Sequence, residues 1–288
     1  MDLKRALKSL QETDREVLRR AAPSASAKAP LIEIFWSVQG EGRFVGVPMA
    51  FVRVATCPLR CLYCDTPHSY RAEARFPVRL GVRDQHEPNP VASERAAELV
   101  QLVAKTNAPG VRTPRVSITG GEPLVFPDFV RELGRAVRDK GMRVHLETAA
   151  VHPDALQKCI DQVDHLSADW KLPETLGAPA DAALALAPGA SYAALHRRCC
   201  DIALRRGASV DVKIVLTDRV TDTSFDVALE ELGPIRDKIL LVLQPVTPFG
   251  AVTKSLPRVD LERFVASAVQ KQFDVRVLPQ VHKALQVP

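Results

Sequence analysis

Three cysteines lie close together in one short stretch of the chain, CPLRCLYC at residues 57–64, separated by three and then two residues. Three thiolates on one loop can hold three irons of a cubane iron–sulfur cluster and leave the fourth iron open to a small molecule. A structural zinc site prefers four ligands in paired Cys-x2-Cys units. Three buried core thiols are the alternative, but the neighbouring Arg60, Tyr63 and Asp65 are not typical core residues. The spacing therefore favours an open cluster.

The composition is that of an ordinary globular protein. The chain has 288 residues, 46% hydrophobic and 25% charged, enough for one large α/β domain. The formal net charge of +5 suits an anionic ligand, but no long basic run is present, so no direct nucleic-acid partner is expected. No apolar run is long enough for a membrane, and no signal peptide is recognisable. Because an open cluster needs reducing conditions, a cytoplasmic location is expected.

Two parts of the sequence are interpreted without a functional role. The remaining cysteines, Cys159, Cys199 and Cys200, are expected to be reduced structural thiols, the adjacent pair giving at most a weak redox or metal hint. Residues 1–28 carry apolar residues at helical spacing among charges of both signs, then an Ala/Ser/Pro run. We therefore expect a helical extension with a linker over residues 1–30 and one domain over residues 31–288.

Short apolar segments alternate with amphipathic ones from residue 31 onward. Strands are predicted at 31–36, 49–54, 115–118, 142–146, 163–168, 209–216, 239–243 and 275–278. Helices are predicted at 92–105, 128–140, 153–160, 192–206, 224–232 and 259–272. Residues 71–89 and 173–191 are predicted to be loops or insertions. Repeated βα units imply a parallel sheet with outer helices, as an open doubly wound sheet or a full or partial barrel.

Polar side chains follow five of the six predicted strands between residues 115 and 278 at their carboxyl ends. They are Thr119 with Glu122, Glu147, Asp169 with Lys171, Gln244, and Gln280 with His282. In βα barrels the chemistry lies where these strand ends meet. One polar strand end means little, but five beside a three-cysteine loop favour a single convergent pocket.

A second motif, TGGEP at residues 119–123, follows one of these strands. Two glycines let a ligand approach the backbone, free N–H groups there can bind a carboxylate, and Pro123 suits a first helical turn. Alone, the motif could be an ordinary strand-to-helix turn. With the cysteine loop it resembles the radical S-adenosylmethionine (SAM) superfamily. That resemblance implies SAM chelated at the open iron and cleaved by electron transfer to give a 5′-deoxyadenosyl radical.

Further segments narrow the resemblance to the 7-carboxy-7-deazaguanine synthase family. They are FWSVQGEG at 35–42, FVRVA at 51–55, CDT at 64–66, LQPVTP at 243–248 and LPQVHK at 278–283. The resemblance covers about residues 31–288. It implies an α/β fold, a partial (β/α) barrel of the radical SAM type with parallel strands and outer helices.

The resemblance also implies a reaction and its cofactors. The reaction is the conversion of 6-carboxy-5,6,7,8-tetrahydropterin to 7-carboxy-7-deazaguanine with loss of ammonia, on the route to the modified tRNA base queuosine or related deazapurines. The cofactors are a 4Fe-4S cluster, SAM and Mg2+. The partners are the small-molecule pterin, a reducing protein such as flavodoxin or ferredoxin, and a second copy of the chain in a homodimer. The enzyme class is that of a ring-contracting lyase.

Site residues follow from the resemblance position by position. The cluster ligands are Cys57, Cys61 and Cys64, and the Mg2+ ligand is Thr66. The SAM-binding residues are Tyr63, Asp65, Gly121, Glu147, Ser167, Asp169, Lys171, Gln244, Pro245, Val246 and Thr247. The substrate-binding residues are Val38, Gln39, Gly40, Glu41, Arg53, Thr119, His282 and Pro288. No side chain is expected to be catalytic itself, because the reacting radical comes from SAM.

Arg53 has the most specific of these roles, since a guanidinium can bind the pterin carboxylate through two hydrogen bonds. Without the resemblance, Arg53 could be an exposed edge charge and Glu41 could pair with Arg43. His282 alone would be a surface histidine.

Two positions depart from the family pattern where glycine is usual. Thr56 stands directly before the first cysteine, and Ala150 ends the segment ETAA at 147–150. Pro58 also stands where asparagine is common. These substitutions affect the loop backbone beside the expected SAM site, and all three cysteines are retained.

Two other functions remain open from the sequence. A glycyl-radical-enzyme activating enzyme shares the cysteine loop and the glycine pair, but it would leave Arg53, Thr66 and the LPQVHK ending without a role. A non-catalytic iron–sulfur sensor would share only the cluster, and its spectrum would not respond to SAM.

Overall fold

The computed structural model describes residues 27–81, 83–111, 114–177 and 191–287. The strands are β1 (Lys28–Ala29), β2 (Leu31–Val38), β3 (Pro48–Val54), β4 (Arg75–Arg79), β5 (Asp84–Pro88), β6 (Val91–Ala92), β7 (Arg115–Gly120), β8 (Arg143–Thr148), β9 (His165–Trp170), β10 (Ser209–Leu216), β11 (Ile239–Pro245) and β12 (Val275–Val277). The helices are α1 (Ser93–Asn107), α2 (Pro127–Arg138), α3 (Pro153–Cys159), α4 (Tyr192–Arg205), α5 (Asp222–Leu232), α6 (Arg258–Gln270) and α7 (Val281–Leu285). Most of the helical extension expected over residues 1–30 lies outside the described residues.

Seven neighbouring strands run parallel in chain order, from β3 through β7, β8, β9, β10 and β11 to β12. Helices α2 to α6 each connect two successive parallel strands, as the sequence predicts for βα units. Beyond β3 the sheet continues through β2 and β4 to β5. Among the described strands β5 and β12 are the two edges, so the sheet forms a partial rather than a closed barrel. None of the helices in the described ranges is long and apolar enough to cross a membrane.

Apolar and polar side chains alternate along the parallel strands, so the two faces of the sheet differ in character. Val116 and Ile118 of β7 and Leu146 of β8 are fully buried, in one cluster with Leu133 of α2 and Leu156 of α3. The intervening positions on the other face are polar. They are Ser117, Thr119, His145, Glu147, Ser167, Asp169, Asp211 and Lys213. The outer helices thus hold the apolar face, and the polar face is left for a site.

A β-hairpin occupies part of the segment that the sequence predicts to be a loop at 71–89. β4 pairs with β2 in parallel, and β5 pairs with β4 antiparallel. The loop prediction is wrong here because Phe76 and Val78 alternate into the core, while Pro77 between them disguises the strand. Of the second predicted loop, residues 178–190 lie outside the described part of the chain.

Candidate active site

A cavity opens at the carboxyl ends of the parallel strands and encloses about 1310 Å³, its open mouth included. Its lining contains these predicted site residues: Val38, Gln39, Gly40, Glu41, Arg53, Cys57, Cys61, Tyr63, Cys64, Asp65, Thr66, Thr119, Gly121, Glu147, Ser167, Asp169, Lys171, Gln244, Val246 and His282. Pro245 and Thr247 do not line it, and Pro288 lies outside the described residues. The fold thus brings most of the expected positions into one cavity.

The cysteine loop is held in place by backbone hydrogen bonds to the segment that follows β9. The Leu62 N–H donates to the Thr175 carbonyl at 2.9 Å, and the Gly177 N–H donates to the Arg60 carbonyl. A turn within the loop brings the Cys64 N–H to 3.1 Å from the Cys61 carbonyl. The loop therefore has its own scaffold, independent of any bound group.

All three thiols of the loop line the same cavity wall. Burial raises the pKa of the Cys57 and Cys61 thiols, and for each a neighbouring thiol adds to the rise. Burial also raises the pKa of Cys159, Cys199 and Cys200, so the feature that suits Cys57, Cys61 and Cys64 for iron ligation is their common place in the cavity lining. As placed, no three His, Cys, Asp or Glu side chains in the described ranges stand close enough together to hold one metal ion.

The TGGEP turn lies directly on the backbone that leads into the cysteines. The Gly121 N–H donates to the Val54 carbonyl at 2.9 Å, and the Glu122 N–H donates to the Thr56 carbonyl at 2.8 Å. A Cβ on Gly121 would lie 2.2 Å from the Thr56 oxygen. Only glycine permits this approach, so the turn and the cysteine loop form one unit.

Glu122 does not face the cavity, although its place after β7 predicted that it would. It is 0% exposed and accepts hydrogen bonds from the Leu124 N–H at 2.9 Å, the Thr148 hydroxyl at 2.6 Å and the Ala149 N–H at 2.8 Å. Its carboxylate therefore joins the ends of β7 and β8 as a structural element. A buried carboxylate needs such donors, and here two backbone N–H groups and one hydroxyl supply them.

Both residues that replace the family's glycines have left-handed backbone conformations. Thr56 has φ 76° and Ala150 has φ 52°. Non-glycine residues pay about 1–2 kcal/mol for this region, which explains why glycine is usual at both places. Both residues thus carry local strain, and the cavity beside them is nevertheless formed.

We expect Ala150→Gly to be neutral or to raise the free energy of unfolding by up to about 1 kcal/mol, because it relieves this strain. The matched control is Ala203→Gly in α4, at a position equally buried at 0% exposure. We expect this variant to lower the free energy of unfolding by about 1 kcal/mol. Urea unfolding of the cofactor-free protein measures both. Equal losses in the two variants would contradict the strain at residue 150.

The expected SAM side of the cavity is organised by a buried ion pair. The Lys171 Nζ lies 2.6 Å from Asp169 Oδ2 and donates to the Tyr63 hydroxyl at 3.1 Å. Its backbone N–H donates to His196 Nε2 at 3.0 Å, which fixes the end of β9. Burial would raise the pKa of Asp169, but Lys171 and Lys213 outweigh it, so the pKa lies below its ordinary value.

Two buried acceptors on this side have no hydrogen-bond partner among the described residues. They are Asp169 Oδ1 and Gln244 Oε1. A buried polar atom without a partner is costly, and in a binding site it is satisfied by the ligand. Both line the cavity, and hydroxyl or amino groups such as those of SAM would satisfy them. The residues therefore fit the expected cofactor.

Three polar side chains form a second cluster on the expected substrate side. Glu147 accepts hydrogen bonds from the Thr119 hydroxyl at 2.8 Å and from the Gln39 amide. Burial raises the pKa of Glu147, with Lys213 opposing and Glu41 adding to the rise. Glu147 was predicted as a SAM ligand, but its hydrogen bonds connect it to residues predicted for the substrate.

Arg53 is not an exposed edge charge, since its side chain is only 18% exposed and it lines the cavity. Its Nε lies 3.0 Å from Glu33 Oε1, directly opposite on β2. Glu33 also pairs with Arg79 at 3.0 Å, and the guanidinium carbon of Arg53 lies 5.3 Å from the Phe35 ring centroid. Holding Arg53 through Nε leaves its two Nη groups for another carboxylate.

The C-terminal segment crosses the cavity and contacts both of its sides. Gln280 Nε2 donates to Glu41 Oε1 at 2.8 Å and to Asp65 Oδ2 at 3.1 Å. Lys283 Nζ lies 2.8 Å from the same Asp65 oxygen and lowers the pKa of Asp65 against its burial. A Cβ on Gly40 would lie 2.1 Å from His282 Nδ1, so only glycine fits there.

Several cavity residues had no individual role assigned from the sequence, although Gln280 was expected in the pocket as a polar strand end. They are Phe35, Phe51, Leu59, Gly120, Thr148, Ala149, Lys213, Val215 and Gln280. Lys213 had a visible signal, because it alternates with Asp211 on one strand face, but its role could not be assigned. Below it, Asp211 accepts hydrogen bonds from the Ser167 hydroxyl at 3.0 Å and pairs with His165 at 2.5 Å. This buried network supports the strand positions that carry Ser167 and Lys213.

Comparisons with known proteins agree with this architecture. Residues 52–171 match the Radical SAM superfamily. A 7-carboxy-7-deazaguanine synthase from Methanopyrus kandleri is 38% identical over 255 residues, covering 87% of this chain and 91% of the relative. The corresponding protein of Geobacter sulfurreducens is 35% identical over 257 residues, covering 88% and 96%.

A solved structure supports the fold. The crystal structure of QueE from Escherichia coli superposes with a TM-score of 0.54 at 20% sequence identity, covering 87% of this chain and 93% of that one. The expected partial barrel of the radical SAM type is therefore confirmed. With relatives above 30% identity along nearly their whole length, the chain belongs to the 7-carboxy-7-deazaguanine synthase family of radical SAM enzymes.

Proposed function

We propose that this protein is a lyase that converts 6-carboxy-5,6,7,8-tetrahydropterin to 7-carboxy-7-deazaguanine with loss of ammonia. Family membership supports the reaction. The observation that carries it is that one cavity joins the three cysteines and the glycine turn to Arg53 and Glu41. A cluster that only carried or sensed electrons would have no use for a buried guanidinium and carboxylate beside it.

The residues of the cavity divide between the two ligands. The cysteines would hold a 4Fe-4S cluster, and Gly121, Asp169 and Gln244 would bind SAM. When bound, SAM and the cluster supply the carbon radical that removes hydrogen from the substrate. This chain's part is to bind both molecules, orient them and exclude water.

Thr66 is proposed as a ligand of Mg2+, because it offers a hard oxygen directly after the cysteine loop and lines the cavity. The predicted reducing partner, homodimer, cytoplasmic location and role in tRNA modification belong to the same proposal. The division into a region over residues 1–30 and one domain over residues 31–288 also stays a prediction.

Arg53→Met should weaken binding of the carboxypterin by about 3 kcal/mol, on the order of a hundredfold in KM, because a charge-assisted carboxylate contact is lost. The matched control is Arg79→Met, which also releases Glu33 from an arginine but does not touch the cavity. Steady-state kinetics of both variants check this. A similar rise of KM in both variants would show that the loss of a Glu33 ion pair, and not the loss of the cavity guanidinium, weakens substrate binding.

An anoxic assay tests the proposed function. Reconstituted, reduced protein is incubated with the carboxypterin, SAM and Mg2+, and the products are separated by mass. We expect 7-carboxy-7-deazaguanine and ammonia in equal amounts. Formation of 5′-deoxyadenosine without any deazaguanine would reject the substrate and favour an activating enzyme. A cluster spectrum that does not change on adding SAM would favour the sensor.

A further inference from the structure

Lys213 places a buried ammonium group inside the cavity, and the proposed reaction gives it no role so far. It is 8% exposed, its Nζ contacts the Glu41 carboxylate, and Asp169 Oδ2 lies 3.5 Å from it. We propose that Lys213 is a positioning residue that ties the substrate side of the cavity to the SAM side and holds Glu41 as an oriented carboxylate anion. The inference rests on the function proposed above and deepens it.

Strand register explains how Lys213 reaches both carboxylates. On β10 it lies opposite Asp169 of β9, so the two side chains meet on the same face of the sheet. Glu41 comes from the other end of the chain, in the loop after β2, and lies 172 positions away in sequence. The Lys213 ammonium group therefore connects β9 to the loop after β2, which are far apart in the sequence.

The charges around Lys213 keep it protonated. It faces the carboxylates of Glu41, Asp169 and Glu147 and one like charge, Lys171. Burial disfavours an ammonium ion, but these carboxylates outweigh it and raise the pKa of Lys213 above its ordinary value. Burial would likewise raise the pKa of Glu41, yet Lys213 and Gln280 together lower it. Lys213 thus favours the ionised form of Glu41, and Asp169 and Glu41 together favour the protonated form of Lys213.

The contacts also fix the orientation of Glu41. Lys213 binds Oε2, and Gln280 Nε2 donates to Oε1 at 2.8 Å. Two donors from two different elements hold the plane of the carboxylate, and an ionised carboxylate keeps further lone pairs for N–H donors. A pterin carries such donors, so Glu41 is ready to accept from the substrate without rearranging.

Lys213→Met keeps the length and apolar stem of the side chain but removes its charge. Glu41 and Asp169 then stand close together without this cation, so the pKa of Glu41 rises and part of it is protonated near neutral pH. We expect carboxypterin affinity at pH 7 to fall about tenfold, the loss of roughly one charge-assisted hydrogen bond to the substrate. Affinity should recover as the pH rises, whereas the wild type should stay level because its Glu41 is already ionised.

Isothermal titration of the carboxypterin into SAM-loaded, unreduced protein measures this across pH. The other titratable groups facing Glu41 are Asp65, Asp169, Glu147 and His282. Because Lys213 also lowers the pKa of Asp169 and Glu147, the recovery of affinity with pH must be absent from Lys213→Met/Glu41→Gln if it arises from Glu41. Lys213→Arg should restore most of the affinity. The control Lys271→Met breaks an exterior pair with Asp226 at 3.2 Å and should leave affinity unchanged.

A thermal unfolding cycle on the cofactor-free protein gives an independent readout. Lys213→Met and Glu41→Gln are measured alone and together. Because Lys213→Met leaves a buried carboxylate without its cation, adding Glu41→Gln should recover part of the lost Tm. If Lys213→Met does not fold alone, folding of the double variant supports the pairing, and a double variant that is also unfolded overturns it.

Three results would overturn the inference. They are additive losses of Tm, an unchanged affinity in Lys213→Met, or a loss of affinity that is the same at every pH. Failure of the proposed function looks different, because wild-type protein would then make no deazaguanine while the unfolding cycle still reports on the Lys213–Glu41 pair.

Discussion

Replacing Cys61 by alanine should abolish SAM cleavage, lowering 7-carboxy-7-deazaguanine formation on the order of a thousandfold or more, because cluster and cofactor act as one unit. A cubane held by three protein thiolates loses a ligand that no neighbouring side chain can replace. Anoxic reconstitution followed by iron quantification and absorption spectroscopy should show little or no four-iron cluster. The fold should persist, because the loop is held by its backbone bonds to Thr175 and Gly177.

Cys159→Ala is the matched control. Cys159 is also a buried thiol, but it lies in α3 within the apolar core and does not line the cavity. We expect a normal cluster and normal turnover, with a small loss of stability from the cavity left behind. A Cys61→Ala protein that still assembles a full cluster and cleaves SAM would contradict the cluster assignment.

Gly121→Ala should lower SAM-dependent turnover by about a hundredfold while leaving the cluster in place. The added methyl would lie 2.2 Å from the Thr56 oxygen, so the glycine turn must move about 1 Å away from the cysteine loop. A displacement of that size in a positioning element costs about this much rate. SAM affinity, measured by titration into the reconstituted protein, should fall as well.

Gly233→Ala serves as the control for this substitution. Nothing lies within 4 Å of a Cβ built there, and its φ of -47° suits any residue. We expect normal turnover and SAM affinity. If Gly121→Ala bound SAM and turned over like this control, the close packing of the two loops would have no functional importance.

The cysteine loop and the parallel sheet could be predicted from the sequence because each depends on a pattern within a short stretch of the chain. The three cysteines need only their spacing, and the strands need only short apolar runs between amphipathic segments. The sequence also predicted that strand-end side chains such as Glu147 and Asp169 lie close together, because parallel strands place equivalent ends at one edge of the sheet.

What the sequence did not predict depends on contacts between distant segments. Glu122 was predicted to face the pocket, but its hydrogen bonds to Thr148 and Ala149 give it a structural role between β7 and β8. Lys213 finds Glu41 only through strand register and the path of the loop after β2. The strained conformations of Thr56 and Ala150 were indicated only by the family pattern, because no local propensity predicts a left-handed conformation for threonine or alanine.

Product analysis under limiting SAM tests the central claim most directly. Reduced protein with cluster and Mg2+ is incubated anoxically with an excess of the carboxypterin over SAM, and 7-carboxy-7-deazaguanine and 5′-deoxyadenosine are quantified. We expect SAM to be regenerated in each turnover, so the deazaguanine formed should exceed the SAM supplied, with little 5′-deoxyadenosine. SAM consumed to 5′-deoxyadenosine with no deazaguanine formed would contradict the account.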